Sequence, residues 1–394
     1  MSGPLDGIRV LDFGRYIAGP WCAALLGDLG AQVIRIDKRG GSEDRFVGPV
    51  TDGGEGALYL QANRNKRGMT LDPMKPAGRE VVRRLVATAD VVVANLPPQT
   101  LAALGLDWPT LEAQKPTLVL TTISAFGSGG PYARKLGFDG IGQAMSGSMY
   151  LSGSGAEPMK AYVPWVDFGT AGLAAFATLA ALYARKATGR GQHVEASLLQ
   201  TALSVSNAAL VEQRVRKLDR VATGNRSQIA GPSDAFRTRD GWILSQVIGA
   251  PLFERWCRLV GEPGMLADPR FASDPARGEH GAILSERMAR WCAERTTAEA
   301  LAALEAANIP AGPVYSPQQA VDDPHVSAAR ILREVDFPGL PIPAPISDTP
   351  VRFSASEAGI RVRAPLLGEH TDAILAELGY AAVEIASLRS DAVI

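Results

Sequence analysis

The first periodic stretch of the chain is IRVLDF, Ile8 to Phe13, a short run of β-forming residues. GRYIAGP follows, and then an apolar helical pattern from Trp21 to Leu29 that Gly30 stops. AQVIRID predicts a second strand ending near Asp37. Strand, helix and strand in that order make a βαβ unit, which implies a parallel sheet covered by helices. The pattern repeats downstream. A helix over Pro76 to Ala87 precedes the strand ADVVVAN, a short helix covers Leu111 to Gln114, and PTLVLTTISAF reads as a further strand. An Ala-rich helix is predicted from Asp167 to Lys186, and TGRGQHVEASLLQTALS reads as a turn and strand leading into another helix.

After about Ser206 the pattern changes. VEQRVRKLDRVATGNRSQIAGPSD is charged and carries Gly and Ser, so it reads as a surface crossover. FRTRDGWILSQVI, Phe236 to Ile248, predicts a hairpin turned at Asp240-Gly241. Helical patterns follow over Pro251 to Val260, Ile283 to Cys292 and Thr297 to Ala307. A second domain of roughly a hundred residues is the natural reading, and the C-terminal part returns to strand and helix signals.

Charge narrows the partners. Forty Lys and Arg against 41 Asp and Glu give a net charge of -1, so nothing pulls the chain in bulk toward nucleic acid or an anionic membrane. The three cysteines, Cys22, Cys257 and Cys292, are far apart, and the four histidines show no metal-ligand spacing. No disulfide framework, metal or redox cofactor is expected, and a reducing cytoplasm fits. The N-terminus lacks a basic region followed by an apolar core. TAGLAAFATLAALYA, Thr170 to Ala184, reads as too short to span a bilayer comfortably and suits a closely packed helix. A soluble protein is expected.

Ile8 to Asp37 invites a dinucleotide-binding reading, with Asp37 in the place of a ribose-binding acid. Gly14 and Gly19, beside Pro20, fail the GxGxxG spacing that the tight phosphate turn requires. Lys38, Arg39 and Arg45 follow the second strand, and NRNKRGMTLD places Arg64, Lys66 and Arg67 in a turn. These cations suit a phosphate at strand ends and helix N-termini, or a solvated charge cluster.

Several stretches together resemble the class III coenzyme A-transferases, the CaiB/BaiF family. It includes formyl-CoA:oxalate and carnitine CoA-transferases and the α-methylacyl-CoA racemases. They are PLDGIRVLDFGRYIAGPWCAALLGDLGAQVIRIDK, NRNKRGMTLD, GFDGIGQAMSGSMYLSG, WVDFGTAGLAAFATLAALYARKATGRGQHVEASLLQ, IPAGPVYS with DDPHV, and APLLGEHT. They span nearly the whole chain in family order. The resemblance implies an α/β fold whose large, Rossmann-like parallel-sheet domain is built from both chain ends, with a smaller α+β domain inserted. Residues 1–205 would form the first part of the large domain, 206–235 a crossover linker, 236–335 the small domain, and 336–394 the return segment. It also implies an interlocked homodimer.

The same resemblance places coenzyme A, as an acyl-CoA substrate, against Tyr16, Ile17, Ala18, Lys38, Leu71, Asn95, Leu96 and Lys135. Lys38 would meet phosphate charge and Asn95 would hydrogen-bond. Formyl-CoA transferase-like members carry Gln at Ile17, Arg at Ala103 and Lys near Leu136, so their substrates do not transfer to this chain. Lys135 stands one residue from the missing Lys.

In VPWVDFGTAG, Asp167 by itself reads as a helix N-cap, and the resemblance makes it the match of the family's catalytic aspartate. As a nucleophile it would move CoA from an acyl-CoA to a free carboxylic acid through mixed-anhydride and aspartyl-CoA thioester intermediates. Gly137 and Gly140, flanking Phe138 and Asp139, are candidate suppliers of backbone N–H groups to developing oxyanions. Gln143, Arg226 and Ser227 are candidate substrate contacts, the last two within a Gly224–Gly231 cover loop. Asp139 suits either a turn or a place near the acyl group. The racemases carry a His where this chain has Phe138, and phenylalanine moves no proton, which favours transfer over racemisation. A non-catalytic acyl-CoA-binding protein is the remaining alternative.

Overall fold

A computed structural model describes residues 3–155 and 157–394. Six strands form one sheet: β1 (Arg9–Asp12), β2 (Gln32–Asp37), β3 (Lys66–Thr70), β4 (Val91–Ala94), β5 (Val119–Ser124) and β6 (His193–Ser197). Their order is β3-β2-β1-β4-β5-β6, and every pairing is parallel. Side chains alternate across the sheet, and both faces are apolar. Val10, Val33, Val91 and Val119 enter one core with Cys22, Ala23 and Leu26 of the helix Ala18–Asp28. Leu11, Ile34, Val92 and Leu120 enter the other with Val81, Val82 and Leu85 of the helix Pro76–Thr88. Burial on both faces is what makes these strands near-continuous hydrophobic runs.

By internal contacts the chain falls into two units. The larger holds residues 1–146, 161–209 and 324–394, and the smaller holds 147–160 and 210–323. The return segment belongs to the large sheet domain through main-chain bonds. His370 N–H donates to the Gly68 carbonyl (2.9 Å) and Asn65 N–H to that of Val362 (3.0 Å). Ile374, Leu375, Ile385 and Leu388 enter the same core as Leu11. Residues 324–335, expected in the small domain, carry β10 (Leu332–Val335). It pairs antiparallel with β11 (Ala344–Ser347), so the return begins earlier than composition shows.

In the smaller unit β7 (Ser233–Arg237) and β8 (Trp242–Gln246) form the expected hairpin, and β9 (Ala311–Pro313) adds to β8. Phe236 and Ile243 pack with Phe253, Trp256, Met288 and Trp291 from helices Ala250–Leu259 and Gly281–Ala293. Part of the crossover is helical, Asn207–Arg216, with no buried residue. Its apolar residues Leu210, Val211 and Val215 are exposed, so no buried stripe marks it.

The predicted Ala-rich helix runs over Trp165–Thr188, longer at both ends, and Gly189 closes it in the left-handed region (φ 69°). It is long and apolar enough to cross a membrane, contrary to the expectation from its apolar run; half of that apolar window is buried inside the protein.

Candidate active site

Strand order reverses between β1 and β4, so the loops leaving their C-terminal ends part and open a crevice. This is where parallel sheets of this order hold ligands. A cleft of about 350 Å³ lies there, lined by the Arg15–Ala18 turn, Asn95 and Leu96 beyond β4, the Ala133–Phe138 loop and Asp167. Tyr16, Ile17, Ala18, Lys135, Gly137 and Phe138 thus line one cleft with Asp167.

The turn after β1 is held in an unusual shape. Tyr16 sits at φ 60°, a region disfavoured for residues with a Cβ. Asn95 clamps it: Arg15 N–H donates to Asn95 Oδ1 (2.7 Å), and Asn95 Nδ2 donates to the Arg15 carbonyl (2.8 Å). One donor and one acceptor of the Asn95 amide are therefore engaged by the Arg15 main chain, while the residue lines the cleft. Gly19 is required here, since a Cβ on it would lie 2.9 Å from Gly14 Cα and 3.0 Å from Asn95 Oδ1. The clamped Tyr16 ring meets Phe138 edge-on, with centroids 5.6 Å apart.

Asp167 lies in the first turn of the long helix, but it does not cap it. The N-cap position is Pro164, which has no side-chain acceptor. Asp139, buried at the start of the helix Asp139–Met145, does that work from outside. Its Oδ1 accepts from Val166 N–H (2.8 Å) and Asp167 N–H (3.1 Å), and its Oδ2 from Gln143 Nε2 (2.5 Å). Gln143 Oε1 accepts from Ala161 N–H (3.0 Å), and the residue is 1% exposed. Gln143 is thus a buried member of the cap, its amide engaged by Asp139 and Ala161. Gly140 is in the second position of the same short helix.

The Asp167 carboxylate itself accepts no hydrogen bond among the described residues and is 8% exposed. Burial pushes its pKa up to about 7, and the Asp139 charge adds to the push. The helix terminus favours the ionised form, but here desolvation and the second carboxylate win. The result is a poorly solvated carboxylate facing a cleft.

Lys38 and Leu71 lie in a neighbouring cleft of about 500 Å³, which shares Arg15 and Leu96 with the first. Arg226 and Ser227 belong to the smaller unit, where Ser227 N–H donates to the Ser233 carbonyl (2.8 Å). Of the basic cluster after β2, Lys38 and Arg39 are exposed on the neighbouring cleft, while Arg45, Arg64 and Lys66 are buried in ion pairs. Arg64 is buried against Asp28 (2.5 Å) and Lys66 against Asp12 (2.7 Å), while Arg45 and Arg35 enclose Asp37 at 2.8 and 3.0 Å. Asp37 cannot serve a ribose. Among the described residues no three His, Cys, Asp or Glu are grouped to hold a metal.

The sequence profile of CoA-transferase family III matches residues 5–371. The chain belongs to that family. It is 33% identical over 395 residues to a succinyl-CoA–D-citramalate CoA-transferase of Chloroflexus aurantiacus, covering 99% of this chain and 98% of the relative. It is 34% identical over 397 residues to a succinate–glutarate CoA-transferase of Agrobacterium fabrum, covering 95% and 96%. A crystal structure of a CaiB/BaiF family protein from Brucella suis superposes with TM-score 0.84 at 33% identity, over 96% of this chain and all of that one. The α/β fold with a large parallel-sheet domain and a smaller inserted domain is therefore the family's, and CoA transfer is its general chemistry.

Within this family III chain, sequence reading missed two parts of the site. Arg15 was passed over because one cation in GRYIAGP carries no pattern. The Asp139 cap joins residues 28 positions apart, a link only the packed helices reveal.

Proposed function

We propose that this protein transfers CoA from an acyl-CoA donor to a free carboxylic acid, with Asp167 as the covalent nucleophile. The supporting observation is a buried carboxylate without hydrogen bonds, facing the cleft at the sheet's switch point. One Asp167 oxygen attacks the thioester carbonyl, forming an aspartyl–acyl anhydride and releasing CoA thiolate. The thiolate attacks the aspartyl carbonyl, leaving aspartyl-CoA thioester and the donor acid. The acceptor carboxylate then attacks that thioester and expels the thiolate, giving a second anhydride. Thiolate attack on the acceptor's own carbonyl yields the new acyl-CoA and frees Asp167.

A carboxylate with raised pKa is the stronger nucleophile once ionised, and burial keeps water from the anhydrides. The N–H groups of Gly137 and Phe138 make no hydrogen bond among the described residues and sit on the cleft wall, so they are our candidates for oxyanion donors. Phe138 and the absence of any histidine from the cleft lining weigh against α-proton chemistry. Relatives named for succinate make succinyl-CoA the first donor to try.

We further propose a cytoplasmic homodimer. Leu173, Phe176 and Tyr183, 50%, 70% and 77% exposed, form an apolar stripe on the long helix that a second copy would cover.

The test uses wild-type and Asp167→Ala protein with acyl-CoA donors and free acids, followed by mass spectrometry. The expected result is acid-dependent CoA exchange with an aspartyl-CoA adduct on the Asp167 peptide, both lost in the variant. Exchange that survives in folded Asp167→Ala would refute the covalent role.

A further inference from the structure

Arg15 stands at the neck between the two clefts, since it and Leu96 line both. Its Nη1 donates to three neutral carbonyls, those of Gly14 (2.7 Å), Ile36 (3.2 Å) and Phe13 (3.3 Å). Among the described residues no carboxylate lies within ion-pair distance, and Nε and Nη2 make no hydrogen bond. The nearby acids are taken: Asp37 by Arg35 and Arg45, Asp44 by Arg35, Asp12 by Lys66. The other cations of the second cleft are engaged too. Lys38 pairs with Glu43 (2.7 Å), and Arg39 Nε donates to the Ile394 main-chain oxygen (3.1 Å). A largely buried guanidinium with two donors unused, at a junction rather than at a cleft's end, is suited to a dianion in mid-molecule.

We infer that Arg15 anchors the pyrophosphate of the CoA substrate, with the nucleotide in the cleft beside Lys38 and the pantetheine arm passing Leu96 toward Asp167. This rests on the CoA-transferase reading above. A guanidinium fork matches phosphate oxygens bidentately. The three carbonyls hold the side chain in place before the ligand arrives, so little ordering is left for binding. The helix Ala18–Asp28 starts three residues later, and its first N–H groups add to the positive field.

Calorimetric binding of CoA, dephospho-CoA and pantetheine to wild type and Arg15→Gln tests the assignment. Dephospho-CoA keeps the pyrophosphate and loses the 3′-phosphate; pantetheine lacks both. The expected result is a loss of roughly tenfold or more for CoA and dephospho-CoA alike, with pantetheine unchanged. A loss for CoA alone would put Arg15 on the 3′-phosphate and overturn the inference. An equal loss for all three would make it merely structural and overturn it too. If Arg15→Gln fails to fold, Arg15→Lys, which keeps the charge without the fork, carries the same comparison. Wild type that binds none of the probes fails the CoA-transferase reading itself, a result distinct from the others.

Discussion

At the scale of single residues, Asp167 is a site where the fold gives up stability. Its carboxyl has an ordinary value of 3.8 and sits at about 7 in the folded protein. A raised acid binds protons more tightly when folded, so its contribution favours folding below about pH 4. That contribution falls as pH climbs through 7, and above it the ionised group costs on the order of 2–4 kcal/mol. Asp167→Asn removes the charge and keeps the shape. Its melting temperature should exceed that of wild type by several degrees at pH 8, and the two should converge near pH 4. Equal melting curves at both pH values would show that Asp167 is not desolvated. The aspartate was legible in VPWVDFGTAG, because the motif survives as a string. Its electrostatics were not, because they depend on Asp139 and on what excludes water.

Elements tell a similar story. The strands β1, β2, β4 and β5 announced themselves as apolar runs, since both of their faces are buried. β3 did not, because KRGMT begins with two cations. Tertiary pairing overrode propensity there: Lys66 Nζ reaches Asp12 Oδ2 (2.7 Å), the Pro20 carbonyl (2.7 Å) and Asn63 Oδ1 (2.9 Å). The neighbouring Arg64 binds Asp28 with two nitrogens and lies 4.3 Å above the Trp21 ring. Asp28→Ala would strand that guanidinium in the core and should cost about 3–5 kcal/mol in urea unfolding. Adding Arg64→Met to the same chain should recover part of the loss. A single substitution as mild as a surface change, within about 0.5 kcal/mol, would mean that the pair is not desolvated.

For the whole molecule, the exposed stripe on the long helix sets the assembly question. Phe176→Asp would put a charge in the middle of the proposed contact. Sedimentation equilibrium should then report a monomer where wild type gives a dimer. An unchanged dimer mass would assign the contact to another face. The two-domain plan was readable from the change in character near Ser206, and its finer limits were not. The strand β10 pairs with β11, and sequence alone does not reveal which partner a short strand will choose.

The sheet's outer edge has a consequence in time as well as in space. Asn65 and Gly68, beside and within β3, receive their main-chain partners from Val362 and His370, and the core beneath is closed by Ile374 and Leu388. A ribosome finishes every strand of the sheet long before it makes those residues. At the usual ~5–20 residues per second, the nascent sheet waits on the order of ten seconds with one side open. Throughout that interval Arg67, whose partner Glu377 is not yet made, is the charge on β3 that stands between the growing chain and edge-to-edge pairing with its neighbours on the same message.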